Sequence, residues 1–333
     1  MQAAVFLGGG RLVLEDRPEP VPAPGEVIIA IEACGICGSD LAVLDVPPRH
    51  PATPGVILGH EFVGRVSALG AGVSGVAVGS RVIVDPDPKC GACGPCRAGR
   101  PANCERIVAL GVYRDGALAS HVAAPAEACH PISDSVPATL AALVEPLACV
   151  VNGTNRAAIR PGETALVFGA GAIGCLFAAV LRAGGAATVV VIEPNPARAA
   201  VAKAVGATHV RTPDEGQAAR AGLLPAGADV GVDAVGSVLP QAIDAAAMGA
   251  RVILFGMNTN ARPAVHQVEI TEKGLAILGS YITAFTFPQA IRLIESGALD
   301  LAPMVSQVVP LEGLEAGLAA LKSGEATKVV VTL

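Results

Sequence analysis

Tryptophan is absent from this 333-residue chain and aromatics make up only 3% of it, so Ala, Val, Ile and Leu must build the core. Charge is scarce too. With 16% charged and 52% apolar residues, the composition excludes a disordered polyelectrolyte and describes a well-cored globular protein of about two domains. A formal net charge of −6, with no Lys/Arg cluster, excludes a nucleic-acid footprint. Met1–Gly10 has neither a basic n-region nor a long apolar stretch, so no secretory leader is expected. The uncharged run from Thr164 to Leu181 approaches membrane-spanning length, but the glycines at its centre fit a strand, a tight turn and a buried helix. No internal repeat is visible. The chain therefore reads as a cytoplasmic protein without a membrane partner.

What it does have is cysteine, nine in all. Four of them, Cys90, Cys93, Cys96 and Cys104, fall within fifteen residues as C-x2-C-x2-C-x7-C. Thiolates so spaced can converge on one ion with little loss of loop entropy, and Gly91, Gly94, Pro95 and Gly99 let the chain turn back on itself. Zinc suits four sulfurs in a tetrahedron. An iron–sulfur cluster is the rival, with no second cysteine group to favour it. Free and metal-bound thiols fit a reducing compartment better than a disulfide framework does.

The rhythm of the sequence changes near residue 150. Before it, short apolar or alternating runs at 2–7, 11–14, 26–33, 61–68 and 80–84 predict strands separated by Gly and Pro. After it, apolar strands at 164–168, 187–192, 208–211, 229–234, 250–255 and 275–279 alternate with helices near 172–184, 196–205 and 239–248. That pattern predicts a parallel sheet covered on both faces. From about 285 follow a helix (288–296), a loop, a helix (311–323) and a last strand (328–332).

Gly169-Ala-Gly171-Ala172-Ile173-Gly174 directly follows the strand at 164–168 and opens a helix, the setting a dinucleotide fingerprint requires. The first glycine makes the turn, the second admits a pyrophosphate, the third lets helix and strand pack closely, and the helix N-terminus supplies N–H donors. Glu193, nineteen residues after Gly174, can accept from both ribose hydroxyls and would repel a 2′-phosphate. NAD is expected over NADP, with Arg198 as the counterweight. Val235-Gly236 and Phe255-Gly256-Met257 end later strands and are expected to flank the cofactor.

A second metal site is expected from Cys37 in Gly35-Ile-Cys-Gly-Ser-Asp40 and from His60-Glu61 after Gly59. Cys, His and carboxylate are ligands of a catalytic zinc that keeps one position open. Glu145, an acid in apolar Leu143-Val-Glu-Pro-Leu147, needs a partner, whether a cation, a salt bridge or a helix end.

These segments, in order from GICGSD through GHE, the cysteine quartet, EPL and GAGAIG to the closing helix–strand pair, make the chain resemble the zinc-dependent medium-chain dehydrogenase/reductase superfamily. The resemblance spans almost the whole sequence and points to the sorbitol/polyol and threonine dehydrogenase-like branch. It implies an α/β fold: a GroES-like β-rich catalytic domain, residues 1–150 completed by 285–333, and a Rossmann doubly wound parallel sheet over 151–284. It implies two zinc ions per chain. Cys37, His60 and Glu61 would hold the catalytic one, with Glu145 a direct ligand or a partner of its water; Cys90, Cys93, Cys96 and Cys104 would hold the structural one. Ser39 would lie between substrate and nicotinamide ribose, and the chain would form a homodimer or homotetramer through its Rossmann sheets.

The implied activity is hydride transfer between NAD and a secondary alcohol, whether a polyol, a sugar alcohol or an amino-alcohol, with zinc as Lewis acid. The rivals are a zinc-independent quinone or enoyl reductase of the same superfamily and a non-catalytic nucleotide-binding redox sensor. Two positions depart from the family pattern. Ala42 stands where many relatives carry a relay histidine, so the proton must leave by ribose and solvent, by Glu145, or by another histidine such as His50. Tyr281-Ile-Thr-Ala-Phe285 stands where polyol dehydrogenases often carry an Arg-Tyr pair, which argues against sorbitol itself.

Overall fold

Val27, Ile29, Ile31 and Ala33 alternate into an aliphatic core and make Glu26–Gly35 (β3) the spine of the first of two units. The computed structural model describes residues 1–215 and 222–333. The first unit comprises Met1–Ala148, Ile282–Gly297 and Val305–Leu333. Its chain begins with an antiparallel hairpin of β1 (Gln2–Gly8) and β2 (Arg11–Asp16). One edge of β3 pairs antiparallel with β4 (Glu61–Leu69), which leads to β5 (Arg81–Val84) and β7 (Cys129–Pro131). The other edge is shared: β6 (His121–Pro125) takes residues 26–30 and β15 (Lys328–Thr332) takes residues 33–35. Beyond β15 lies β14 (Val305–Pro310), the one parallel neighbour in this sheet.

The second unit, Cys149–Tyr281 with Ala298–Met304, is built on a six-stranded sheet in which every pair is parallel. Its strands are β8 (Thr164–Phe168), β9 (Thr188–Ile192), β10 (His209–Arg211), β11 (Ala228–Asp233), β12 (Ala246–Leu254) and β13 (Ala276–Gly279). Their order, β10-β9-β8-β11-β12-β13, reverses direction between β8 and β11, and ligands of such sheets bind at the strand ends there. The uncharged run resolves into β8 and the helix Ala172–Ala183, whose residues Gly174 to Leu181 are all buried. Among the described residues no helix is long and apolar enough to cross a membrane.

Three expectations need correction. The helix expected over 239–248 stops at Asp244, and Ala246 already pairs with Ala228. Its alanine run favours helix, but Gly249 at φ +73° and the β11 partner override that preference. The loop expected between the last two helices contains β14, and the helix expected from 311 begins at Leu314 after a 3-10 turn. The helix Val144–Ala157, which carries Glu145 in its first turn, was not anticipated.

Candidate active site

Cys37 caps the short helix Gly38–Val43, and its backbone N–H donates to Asp40 Oδ2 at 2.8 Å. His60 precedes β4 and Glu61 opens it. The metal-ligating atoms of Cys37, His60 and Glu61 all lie within 4.8 Å of one another. The two nitrogens of His60 face different neighbours: Nε2 is 3.3 Å from Ser39 Oγ, and Nδ1 is 3.6 Å from Asp40 Oδ1. Burial works against a charged imidazole, yet Asp40 and Cys37 outweigh it and hold His60 well above its ordinary range. A metal must therefore displace a proton there. Burial pushes the Asp40 carboxyl up, against the pull of His60.

Glu61 meets a partner the sequence did not suggest. Sheet register sets Gly35 of β3 opposite both Glu61 of β4 and Val330 of β15. Lys328 lies two residues before Val330, and its Nζ pairs with Glu61 Oε2 and donates to the Ile36 carbonyl at 3.0 Å. The pair is buried, and a methyl group at position 35 would lie 2.4 Å from Glu61 Oε2, so a larger residue there would push the pair aside. Burial opposes the charge on Lys328, but Glu61 raises its pKa. Glu145 is outside the close triad, although its charge reaches both His60 and Lys328. The Arg49 N–H donates to Ala42 O at 2.9 Å, and the charges of His60 and Asp40 act on the half-buried His50 ring.

The donors of Cys90, Cys93, Cys96 and Cys104 also lie within 4.8 Å of one another. Backbone N–H groups turn inward: Cys90 N–H donates to Cys104 Sγ at 3.4 Å and Cys93 N–H to Cys90 Sγ at 3.4 Å. The N–H groups of Ala92 and Cys93 bring Cys90 down to about 6, while burial among the other thiols pushes Cys96 up to about 12. Four crowded sulfurs cannot all ionise alone, whereas a dication holds all four as thiolates, so this donor set fits zinc.

In the second unit, Gly169 takes φ +91° and Gly171 caps the helix that follows. A methyl group at 174 would come 1.9 Å from Gly169 O, so helix and turn touch; one at 171 would meet nothing, which leaves that face open for a pyrophosphate. Ala172 and Ile173 form the first turn of the helix. Glu193 is more engaged than expected: Oε2 accepts from Ala170 N at 2.7 Å and Oε1 from Asn195 N at 2.8 Å. Among the described residues the buried Arg198 Nε has no partner. Asp233, absent from the expected site, braces both later loops. Its carboxylate accepts from Val235, Gly236 and Val238 N–H groups and its carbonyl from those of Phe255 and Gly256. Val235 and Met257 are exposed at the ends of these strands.

Two zinc-type donor sets and a dinucleotide loop in one chain invite comparison with known proteins. Residues 23–134 match the alcohol dehydrogenase GroES-like domain and residues 172–296 the zinc-binding dehydrogenase domain. D-altritol 5-dehydrogenase of Agrobacterium fabrum is 35% identical over 316 residues, 93% of each chain. This chain belongs to the zinc-dependent medium-chain dehydrogenase/reductase superfamily. L-threonine 3-dehydrogenase of Stenotrophomonas maltophilia is 33% identical over 96% of this dehydrogenase and 95% of its own length. A zinc-binding dehydrogenase of Sinorhizobium meliloti, solved with NADP bound, superposes with a TM-score of 0.94 at 31% identity, covering 100% of this chain and 99% of that one. The fold expected from the sequence, a GroES-like domain with a Rossmann-like parallel sheet, is the fold of this superfamily. The protein is thus an oxidoreductase of the alcohol dehydrogenase type.

Sequence reading missed Asp40, Lys328 and Asp233. Asp40 closes the GICGSD segment and could have been suspected from its place next to candidate ligands. Lys328 carried no local signal, because it meets Glu61 only through the sheet, 267 residues away along the chain.

Proposed function

We propose that this dehydrogenase oxidises a secondary alcohol bearing neighbouring polar groups, with NAD as acceptor. The observation that carries the reading is the convergence of Cys37, His60 and Glu61 with the Ser39 hydroxyl at His60. When bound, zinc supplies Lewis acidity to the substrate oxygen and NAD accepts hydride. Cys37, His60 and Glu61 would hold the metal, and Glu61 would share its charge between that metal and Lys328. Ser39 accepts the substrate proton and passes it outward. His50, next in the chain to the Arg49 whose N–H bonds the Ala42 carbonyl, receives it in place of a histidine at 42.

Glu193 supports NAD over NADP: its carboxylate is fixed by two backbone N–H groups at the tip of β9, where a 2′-phosphate would meet its charge. Altritol and threonine dehydrogenase relatives support a polyol or amino-alcohol substrate. The edge strand β13 and the helix Gln267–Lys273, none of whose residues is buried, support a homodimer through this sheet. Nine cysteines with no disulfide between any of them suit the reducing cytoplasm.

Metal analysis with steady-state kinetics tests the reading. Two zinc ions per chain, one for each donor set, and NAD reduction by a polyol or amino-alcohol are expected. Cys37→Ser should bind one zinc, keep the wild-type fold and lose turnover. One zinc in the wild type, with reduction of a quinone or enone, would instead mark a zinc-independent reductase.

A further inference from the structure

Lys328 ranks with Phe62, Phe177 and Phe287 among the largest wholly buried side chains of the described residues. An ammonium is expensive to bury so deeply unless fixed partners receive it. Both groups it bonds belong to the candidate metal site. Nζ pairs with Glu61 Oε2 and donates to the Ile36 carbonyl at 3.0 Å. That carbonyl is one half of the peptide group joining Ile36 to Cys37. The other half, the Cys37 N–H, donates to Asp40 Oδ2 at 2.8 Å, while Asp40 Oδ1 stands 3.6 Å from His60 Nδ1. One lysine and one aspartate thus grip the same peptide from its two sides, and between them they reach all three candidate ligands.

Sheet register fixes the ammonium where it is. Glu61 and Val330 sit opposite Gly35 on the two edges of β3 and share its face; Lys328, two residues before Val330, shares it too. The two charged groups meet over the bare backbone of Gly35. A methyl group there would come 2.4 Å from Glu61 Oε2, 3.0 Å from Lys328 Cε and 3.2 Å from Nζ. The Ile36 N–H donates to the Val329 carbonyl at 3.0 Å, which ties β15 to the segment leading into Cys37. A carboxylate can bind a metal through one oxygen or through both. With Oε2 held by Lys328, Oε1 is the oxygen Glu61 has left to offer.

We propose that Lys328 is a positioning residue of the metal site: it restricts Glu61 to one-oxygen coordination, which lowers the affinity of the site for its dication and keeps one coordination position open. The inference rests on the reading above that Cys37, His60 and Glu61 hold zinc. An ammonium beside the carboxylate competes with the ion for the same negative charge. Its removal should therefore tighten metal binding, whereas the loss of a merely supporting hydrogen bond weakens it. Without the ammonium both carboxylate oxygens can turn to the ion, and the position that a catalytic zinc keeps for its substrate is filled.

The test compares zinc-loaded wild type, Lys328→Met and Lys328→Arg, following the ion that Cys37→Ser lacks. In competition with a chelator, Lys328→Met should hold that ion about 10–100-fold more tightly than wild type. Lys328→Arg keeps the positive charge and should stay close to wild type. With Co(II) in place of that ion and zinc kept in the lobe, the d–d bands should weaken in Lys328→Met, as they do when four-coordinate cobalt gains a ligand. Turnover should fall in the same variant although its metal is held more firmly. Should Lys328→Met not fold, Lys328→Gln removes the charge, keeps an amide to donate to Ile36 O, and should show the same shifts. Equal or weaker binding in the uncharged variants, an unchanged cobalt spectrum, or as large a tightening in Lys328→Arg overturns the role of Lys328 and leaves the proposed activity standing. A wild type that binds only the lobe ion overturns both.

Discussion

At His60 two neighbours divide one ring between them. Asp40 stands at Nδ1, so Nε2 is the atom offered to a metal and to Ser39. A carboxylate behind a ligating histidine fixes its tautomer and raises its basicity. Asp40→Asn should therefore weaken zinc binding at this site, or activity, by about 10–100-fold, measured by competition with a chelator. Zinc in the cysteine lobe should be retained. A second residue-scale prediction concerns His50. Burial lowers its pKa, against the hydrogen bond to the Pro51 carbonyl, so its neutral, proton-accepting form persists to lower pH than for a free imidazole. Alcohol oxidation should then fall as pH drops through a value below the usual imidazole range. In His50→Gln that inflection should vanish from the kcat/KM profile, with a lower plateau above it. An unchanged profile would remove His50 from the proton path.

At the scale of elements, three strands bring together what no local pattern joins. Gly35 on β3 leaves room, Glu61 on β4 supplies the anion and Lys328 at the start of β15 supplies the cation. Breaking a buried ion pair from one side strands a charge. Lys328→Met should destabilise the protein by about 3–5 kcal/mol in chemical denaturation, and adding Glu61→Gln should recover part of that loss. Additive losses in the double variant would show that the pair is not coupled. The same register explains what the sequence could and could not disclose. The parallel strands were legible because runs such as Thr188–Ile192 are apolar on both faces. The ligand segments were legible because glycines flank Cys37 and precede His60. β14 was not: it is a half-exposed edge strand that exists by pairing with β15, and its Val-Ser-Gln-Val-Val-Pro offers no turn-bounded apolar run. Lys328 reads as an ordinary charged residue opening a strand, and Asp85, which meets Thr283, as one more acid in a proline loop. Their surroundings come from residues distant in the chain.

At the scale of the whole molecule, the cysteine lobe and the catalytic triad belong to the same unit, and a buried clamp lies between them in sequence. Lys89, immediately before Cys90, is tied to Asp85 and Thr283, and Thr283 Oγ1 also lies 3.2 Å from Asp85 Oδ2. Four thiolates would leave a zinc no open position, so a metal held by the lobe would organise chain rather than take part in the reaction. Its loss should loosen the lobe only as far as the clamp. In Cys93→Ala, one zinc should be lost and amide exchange should quicken over residues 90–106, while residues 81–87 keep their protection. Acid should act alike: protons compete with the metal for the four thiolates, so lowering the pH should release the ion from the lobe. Because the clamp lies between the lobe and the rest of the unit along the chain, the Cys93→Ala enzyme should keep the wild-type turnover of its alcohol even where assembly or Tm suffers. If turnover collapsed together with lobe protection, Lys89 would be passing the disturbance on rather than stopping it.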